Sequence, residues 1–411
     1  MGTNSAILIS KRLKFWFILL FVLYLAGCSQ PNKSDILTLT MSLGEQEWNV
    51  FRTDIFPPFE KANNIKINAY QIDSGQLATK LEALESAGKQ EIGLFAQDNM
   101  NLAILINKGL ILDLSDYARR IPQEVLPNLI NSCKFKDKLM FMPFRPNVQI
   151  AYYNNEAFKK YGLQIPKTWD ELIFTARRFK EEEGQGRILL KAVGGNPTAT
   201  QVYEFILQAG GNPYSFDDQG CIEAFTFLQE LWPYACEDSR RASWDTTNEI
   251  LAQQQAYLAQ NWPFGVVTLI QDYKLSFIET YSGWSGPAGE YHVVGGDVFG
   301  IPKNSRNKEL ALKFIAYIQS KEIQEILLTK LAWPSIRDDA YGQLEDWQKP
   351  HFAAVQEALK HGVFRENVTW WPAYAKYVSE AFREIVIEKA SPKEALKKYK
   401  EKLEKEKLLF P

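Results

Sequence analysis

The sequence predicts an α/β protein with a mostly parallel sheet, divided between two domains. Its length is the first observation, because 411 residues exceed the usual size of one domain. The second is the order of segments near the start, where strand patterning and helical periodicity alternate. The third is composition, since 46% hydrophobic residues can form two sizeable cores.

Five segments carry the alternation. They are strands at residues 36–41, 65–72 and 91–98, and helices at residues 47–63 and 77–88. Such a β-α-β-α-β order favours parallel strands, and ligands bind beyond the carboxyl ends of parallel strands. Glu45 and Gln46 follow the first strand, and Asp98 follows the third. The sequence therefore predicts a binding site at this edge of the sheet.

The second half of the chain is more helical. Thr168 with Glu171 three residues later is typical of a capping box that opens an amphipathic helix. A glycine-rich loop, "YSGWSGPAGEYHVVGGD" at residues 281–297, contains Trp284. Because glycine lets backbone approach a ligand closely, we expect this loop to present Trp284 to a ligand.

The N-terminus indicates export. Basic residues precede an apolar run at residues 15–27, which is shorter than the roughly 20 residues that a transmembrane helix needs. We expect residues 1–27 to be a signal peptide, with an uncleaved membrane anchor as the alternative. "LAGC" resembles the lipobox of bacterial lipoproteins, which implies that Cys28 is lipidated and that residues 28–35 form a tether.

Three cysteines follow Cys28, and their state is open. Cys221 and Cys236 are placed to form a disulfide outside the cytoplasm, or all three, with Cys133, are buried thiols. The three histidines have no metal-ligand spacing, so neither a metal nor another cofactor is expected.

Several function classes find no support. The formal charge of −2, from 47 basic and 49 acidic residues, provides no basic surface for nucleic acid. Neither a phosphate-binding loop nor a zinc-protease motif occurs. "GWSGP" resembles a nucleophile elbow but has Pro287 where the motif has glycine. We therefore predict a protein that is not an enzyme, and a secreted carbohydrate-active enzyme remains the alternative.

A resemblance extends over nearly the whole chain. "AYYNNEAFKKYGLQIPKTWDELIFTARRFK" resembles a signature of family 1 extracellular solute-binding proteins, the receptors of sugar ABC transporters. Four further segments are similar to the family and occur in its order: "FPPFEKANNIKINAYQI", "LINKGLILDLSDY", "GGDVFGIPKNSRNKELALKFIAYIQSKEIQE" and "WPSIRDDAY". Ile92 and Gly93 depart from it, because the family often has Pro-Asp-Val there.

The resemblance implies a two-lobed periplasmic-binding-protein fold, type II-like, with a ligand cleft between lobes that crossing hinge segments join. One lobe would be residues 36–146 with 298–335, and the other 147–297 with 336–411. The family further implies a lipid-anchored, extracytoplasmic monomer. It would deliver a carbohydrate to the permease and ATPase of an ABC importer.

A sugar has apolar faces that suit aromatic rings and hydroxyls that suit charged or amide groups. Aromatic and planar polar residues in the predicted loops and crossings are therefore the candidate ligand contacts. They are Glu45, Gln46, Asp98, Arg145, Asn147, Trp262, Trp284, Asp297, Trp333 and Arg337. A structural salt bridge is the alternative for Arg337.

The supply of aromatic residues, 13% of the chain, favours a di- or oligosaccharide over a monosaccharide. A glycerol phosphodiester or a polyamine is the alternative solute. A phosphate would require several basic residues at strand ends, where only Arg145 and Arg337 stand.

Overall fold

The computed structural model describes residues 36–408. The predicted signal peptide, the predicted lipidation site Cys28 and the tether, residues 1–35, lie outside this range, as do residues 409–411. No helix in the described range is both long and apolar enough to cross a membrane.

Strands and helices alternate along the described chain. The strands are β1 (Ile36–Met41), β2 (Lys66–Gln71), β3 (Leu94–Asp98), β4 (Lys134–Phe135), β5 (Lys138–Leu139), β6 (Met142–Val148), β7 (Ile150–Asn154), β8 (Leu258–Asn261), β9 (Ile278–Tyr281), β10 (His292–Gly300) and β11 (Gly362–Phe364). The helices are α1 (Glu45–Val50), α2 (Phe56–Asn63), α3 (Leu77–Ser86), α4 (Leu102–Asn107), α5 (Pro127–Ser132), α6 (Asn155–Lys160), α7 (Trp169–Glu183), α8 (Gly195–Gln208), α9 (Gln219–Leu231), α10 (Trp244–Ala252), α11 (Phe264–Val266), α12 (Lys308–Ile318), α13 (Lys321–Leu331), α14 (Lys349–Lys360), α15 (Trp371–Phe382) and α16 (Pro392–Lys407). Turns of π-helix follow α1, α11 and α15.

The predicted βαβαβ unit is confirmed. β1 pairs in parallel with β2 along its whole length and with β3 at Leu39↔Leu94. These strands belong to a six-stranded sheet of order β11-β10-β3-β1-β2, with β6 paired to β10 off this path. β7, β8 and β9 form a separate antiparallel sheet. The carboxyl ends of β1, β2 and β3 therefore lie along one edge, as parallel pairing requires.

The described core divides into three clusters. The first draws its buried residues from 37–144 and 298–336, and we call the part built around it the first lobe. The second and third clusters draw mainly on residues 148–294 and 344–403, and we call the part built around them the second lobe. Leu328 and Ala332 also belong to the third cluster, so this cluster extends into the range 298–336. Trp169 anchors α7 in the second cluster, where it stacks on Phe227 with ring centroids 4.3 Å apart.

β6 and β10 run together between the lobes. They pair antiparallel from Val294↔Val148 to Phe299↔Met142, with a bulge between Asp297 and Val298. The first residues of β10 pair with β11, and its last four pair with β3. Gly296 has a φ of +110°, and a Cβ there would lie 2.1 Å from the Arg145 carbonyl oxygen. Only glycine can therefore allow the two strands to approach this closely.

Each of the three cysteines in the described range has a free, buried thiol. Cys221 Sγ contacts the Asn212 carbonyl oxygen at 3.3 Å, and Cys236 Sγ lies 3.8 Å from Ser239 Oγ. The structure thus favours the reduced alternative over a Cys221–Cys236 disulfide.

Candidate functional site

Three charged residues form a row across three adjacent strands. Asp98 on β3 is opposite Asp297 on β10, and Asp297 is opposite Arg145 on β6. Residues directly opposite on paired strands present their side chains to the same face of the sheet. Arg145 Nε donates to Asp297 Oδ2 at 2.6 Å. Asn147 and Gly295, opposite each other two residues along, extend the row into a surface that we call the cleft floor.

Glu47 and Trp333 flank this floor from the first lobe. Glu47 Oε1 accepts hydrogen bonds from Arg145 Nη1 at 3.0 Å and from Trp333 Nε1 at 2.9 Å. The Arg145 guanidinium lies 4.1 Å from the centroid of the Trp333 ring. Arg145 is therefore held by two carboxylates and one aromatic face, which fixes its orientation above the floor.

Trp262 flanks the floor from the second lobe. It follows β8, packs edge-on against Trp244, and is 6% exposed. A Cβ at Gly295 would lie 3.1 Å from Trp262 Cη2, so the ring edge occupies the space that a side chain at 295 would fill. The Trp262 carbonyl oxygen accepts a hydrogen bond from Tyr152 Oη at 2.8 Å, which fixes the backbone at this point.

A cavity of about 190 Å³ lies between these walls. Its polar lining is Glu47, Arg145 and Asn147, while Phe264 and Trp333 provide aromatic surface. Larger concavities of about 670 Å³ beside α7 and α9 and about 500 Å³ near the amino ends of β1 and β2 lack these floor residues. Of these three concavities, the smallest is the one that lies against the cleft floor and is lined by Arg145 and Trp333, so it is the candidate ligand site.

The electrostatics of the floor are dominated by its carboxylates. Burial, together with the neighbouring Asp297 carboxylate, raises the pKa of Asp98 to about 6. Asp98 Oδ1 also accepts a hydrogen bond from the Met100 N–H at 2.8 Å, which caps the turn after β3. Burial alone would lower the pKa of Arg145, but Asp297 and Glu47 outweigh it and raise that pKa.

Three of the ten predicted contact residues, Arg145, Asn147 and Trp333, line the cavity. Three more lie on or against the adjoining cleft floor: Asp98, Trp262 and Asp297. Glu45 and Gln46 are exposed at the start of α1, one turn from the cavity lining, and Glu45 pairs with Arg52 at 3.2 Å. Neither of these two lines the cavity.

Trp284 and Arg337 lie elsewhere, which corrects the placement expected from the sequence. Trp284 is 3% exposed in the second-lobe core beside Phe205, because the strand-like contact of Ser285 with Thr168 folds its loop onto α7. Arg337 is paired with Asp339 at 2.8 Å and with Glu124 at 3.3 Å, away from the floor. A structural salt bridge, the alternative role for Arg337, is therefore favoured.

Sequence reasoning missed Glu47, Phe264 and Arg365. Glu47 also accepts a hydrogen bond from the Gly44 N–H at 2.7 Å, so its acidic position in the first helical turn was a signal that could have found it. Phe264 lies two residues after the predicted contact Trp262 and is 37% exposed. Arg365 had no local signal, because its contacts are with residues distant in sequence.

Comparisons with known proteins give the family. The sequence profile of the bacterial extracellular solute-binding protein family matches residues 54–354. A multiple sugar-binding protein of Streptococcus mutans is 21% identical over 80% of this chain and 84% of its own length. A probable amino-acid ABC transporter periplasmic-binding protein of Sinorhizobium fredii is 26% identical over 57% of this chain, which spans only 54% of that relative.

Solved structures share the fold. The sugar-binding protein MalE of Xanthomonas citri has a TM-score of 0.80, with 18% identity over 91% of this chain and 98% of that chain. Maltose-bound MalE3 of T. maritima has a TM-score of 0.75, with 19% identity over 90% of this chain and 99% of that chain. The fold is that of two-lobed binding proteins, and the match of the profile to most of its length shows that the chain belongs to the bacterial extracellular solute-binding protein family.

Proposed function

We propose that the protein is the extracytoplasmic substrate-binding lipoprotein of an ABC importer, and that it captures a carbohydrate, a di- or oligosaccharide, in the cleft. The observation that carries this proposal is the row Asp98–Asp297–Arg145 beneath Trp262 and Trp333. Hydroxyl groups can donate to the carboxylates and accept from the guanidinium, while the apolar faces of a sugar suit aromatic surface.

The charges of the floor disfavour an anionic ligand. Arg145 engages both Glu47 and Asp297, so its one positive charge balances only one of these two negative charges. The negative charge of a phosphodiester would be repelled by Asp98 and Asp297, and no free cluster of basic residues in the site would compensate for this repulsion. This disfavours a glycerol phosphodiester as the solute. No arrangement of a nucleophile with a base has been identified in the cavity lining, and the family binds solutes, so we propose binding without turnover.

The names of relatives support the same ligand class. A multiple sugar-binding protein and structures bound to maltose, α-D-tagatose and ribitol are among the similar proteins. An amino-acid transporter protein is also among them, over a shorter alignment. We therefore propose a carbohydrate ligand and include amino acids as competing ligands in the binding screen.

The remaining parts of the proposal concern anchoring and motion. Lipidation at Cys28 would hold the protein at the membrane, where it would act as a monomer on its permease. The lobes would be residues 36–146 with 298–335 and residues 147–297 with 336–411. The division of the core into clusters within 37–144 and 298–336 on one side supports this boundary. Ligand would close the lobes about β6 and β10.

The test is a thermal-shift screen of residues 30–411, which contain the whole described fold. The saccharide panel is maltose, maltotriose, trehalose, tagatose and ribitol, and the competing ligands are glycerophosphocholine, spermidine and the amino acids. A saccharide at 100 times its Kd should stabilise the fold by about 2.7 kcal/mol. Stabilisation by a competing ligand and by none of the panel would overturn the proposal.

Two tryptophans provide a matched site test. Trp262 and Trp284 are 6% and 3% exposed, so replacing either with alanine should lower stability by about 3–5 kcal/mol. Calorimetry should show that Trp262→Ala weakens saccharide binding tenfold or more, whereas Trp284→Ala leaves it within about twofold. Equal losses of affinity would contradict the site as drawn.

A further inference from the structure

Arg365 is a buried cation beside the cleft floor. It follows β11, whose last residue, Phe364, pairs with Val294 of β10. Its Nη2 lies 3.6 Å from the position that a Cβ would occupy at Gly295. The guanidinium of a second-lobe residue therefore lies beside the cleft floor and is 5% exposed.

The hydrogen-bond partners of Arg365 are neutral. Its Nη1 donates to Thr200 Oγ1 at 2.9 Å, and its Nη2 donates to Asn99 Oδ1 at 3.3 Å. Its guanidinium lies 5.0 Å from the centroid of the Trp371 ring. Its Nε has no hydrogen-bond partner, although it is buried. No carboxylate within residues 36–408 forms an ion pair with it. The Asp98 carboxylate attracts it from a longer distance, but burial outweighs this attraction and lowers the pKa of Arg365.

Asp98, on the first lobe, is a carboxylate without an ion-pair partner among residues 36–408. Its carboxylate accepts from the Met100 N–H and forms no ion pair within the described chain, although the charges of Arg365 and Arg145 attract it from a longer distance. Asn99, the next residue, is the bridge between the two sides: it accepts from Arg365 and its Nδ2 donates to the Val294 carbonyl oxygen at 3.4 Å. An unpaired donor and an under-paired acceptor thus lie on opposite lobes with one amide side chain between them.

We propose that Arg365 is a ligand-binding residue of the second lobe, whose Nε–H donates to one hydroxyl oxygen of the bound carbohydrate while the Asp98 carboxylate accepts from a neighbouring hydroxyl. The inference rests on the proposed function and specifies the ligand further: it carries adjacent hydroxyls that reach both lobes. A hydroxyl pair satisfies both groups without adding charge, whereas a ligand carboxylate would approach Asp98 and Asp297 and be repelled. Bridging the lobes in this way would stabilise the closed form.

The test measures affinity by calorimetry for the member of the saccharide panel that gives the largest thermal shift. Arg365→Gln and Arg365→Lys should each weaken binding tenfold or more, the size of one hydrogen bond to a charged group. Lysine retains the charge, so Arg365→Lys keeps the test available if Arg365→Gln does not fold. Arg337→Gln is the control, because Arg337 is also buried but is ion-paired away from the floor, and it should leave affinity within about twofold.

Deoxy derivatives of the same saccharide separate binding from a structural role. If Arg365 donates to one hydroxyl, one monodeoxy derivative should bind the wild type and Arg365→Gln with equal affinity. A loss of similar size for every derivative would show that the variant only perturbs the fold, and would overturn the inference.

Two further outcomes are distinguishable. Wild-type binding to the panel with unchanged affinity in both Arg365 variants would overturn the role of Arg365 and leave the proposed function standing. Failure of the wild type to bind any member of the panel, with binding of an amino acid instead, would overturn both.

Discussion

Asp98 and Asp297 are two carboxylates on neighbouring strands, and only Asp297 is paired with Arg145. The repulsion between them and the burial of Asp98 make the ionised form of Asp98 costly. Such a cost in the unliganded protein is typical of a site that a ligand completes, because hydroxyl donors can offset it on binding.

Asp98→Asn should stabilise the unliganded protein at pH 7.5. The folded-state pKa of about 6 lies above the ordinary value of 3.8, so the folded state binds more protons between these values and the free energy of unfolding falls as pH rises through that window. The variant does not lose stability in this way, because asparagine does not ionise. It keeps the side-chain cap of the turn after β3, because asparagine also caps helical turns. We expect a gain of about 1–2 kcal/mol in urea unfolding at pH 7.5.

At pH 3.5 the same substitution should have little effect, because Asp98 is then mostly protonated in both states. Asp113→Asn is a control of opposite sign, since Ser115 lowers the pKa of Asp113 with the help of Lys138. A loss of stability in Asp98→Asn at pH 7.5 would contradict this account.

Gly295→Ala tests how tightly the floor is packed. The added methyl would lie 3.1 Å from Trp262 Cη2, closer than ordinary van der Waals contact, so the ring must shift. We expect stability to fall by about 1 kcal/mol and saccharide affinity to fall about tenfold by calorimetry. Gly75→Ala is the matched control, because no atom lies within 4 Å of its added Cβ. Unchanged affinity in Gly295→Ala would separate Trp262 from the ligand.

At the scale of elements, β10 connects two environments. Asp297 and Gly295 face the cleft, while His292 at its start is buried beneath the second lobe. His292 Nε2 lies 2.8 Å from Glu290 Oε1, and its Nδ1 lies 3.8 Å from Glu204 Oε1. Although burial lowers the pKa of His292, the two carboxylates outweigh it and raise that pKa to about 9.

This network should make stability depend on alkaline pH. Since the folded-state pKa of His292 exceeds the ordinary 6.5, its contribution is fully present below pH 6.5 and is lost as pH rises through about 9. Between pH 6.5 and 9.5, the free energy of unfolding in urea should change less favourably in wild type than in His292→Gln, by a difference on the order of 2 kcal/mol.

The other charged groups of this region are shared by wild type and variant. Burial lowers the pKa of Lys191 to about 7, which makes the free energy of unfolding rise between pH 7 and 10.5 and opposes the effect of His292. His361 lies 4.0 Å from Glu290. Because both proteins carry these groups, the difference between them isolates His292, and equal pH profiles would reject its charged state.

Local patterns predicted many elements correctly because their causes are local. Thr168 caps α7, with its Oγ1 accepting from the Glu171 N–H at 3.3 Å. The second hydrogen bond of the predicted capping box is not formed, since Glu171 Oε2 accepts from the Lys167 N–H at 2.6 Å instead of from the Thr168 N–H.

The loop at Trp284 was predicted to face a ligand because of its glycine content, but glycines also let a loop pack closely onto a helix.

At the scale of the whole molecule, ligand should bring the lobes together. A compact chain of 382 residues has a radius of gyration of about 21 Å, and a two-lobed molecule with an open cleft exceeds this value. Small-angle scattering of residues 30–411 should therefore show a radius that decreases toward that value when a saccharide of the panel is added. The Trp262→Ala variant at the same ligand concentration is the control, and a radius unchanged by saturating ligand would contradict closure.

The sequence by itself determined the α/β class, the strand order at the start, the family resemblance and most of the polar residues of the floor. The class and the strand order follow from periodicity and capping, and Asp98 follows from the rule that sites lie at strand ends, each of which acts over a few residues. Arg145, Asn147 and Asp297 were predicted from the crossing segments that the resemblance implies. Only the tertiary structure decided which of those residues meet. Arg145 and Asp297 are 152 positions apart, Trp333 and Glu47 are 286 apart, and Arg365 and Asn99 are 266 apart. Contacts at such separations depend on how distant segments pack within the first lobe and along β6 and β10, and no local pattern encodes that packing.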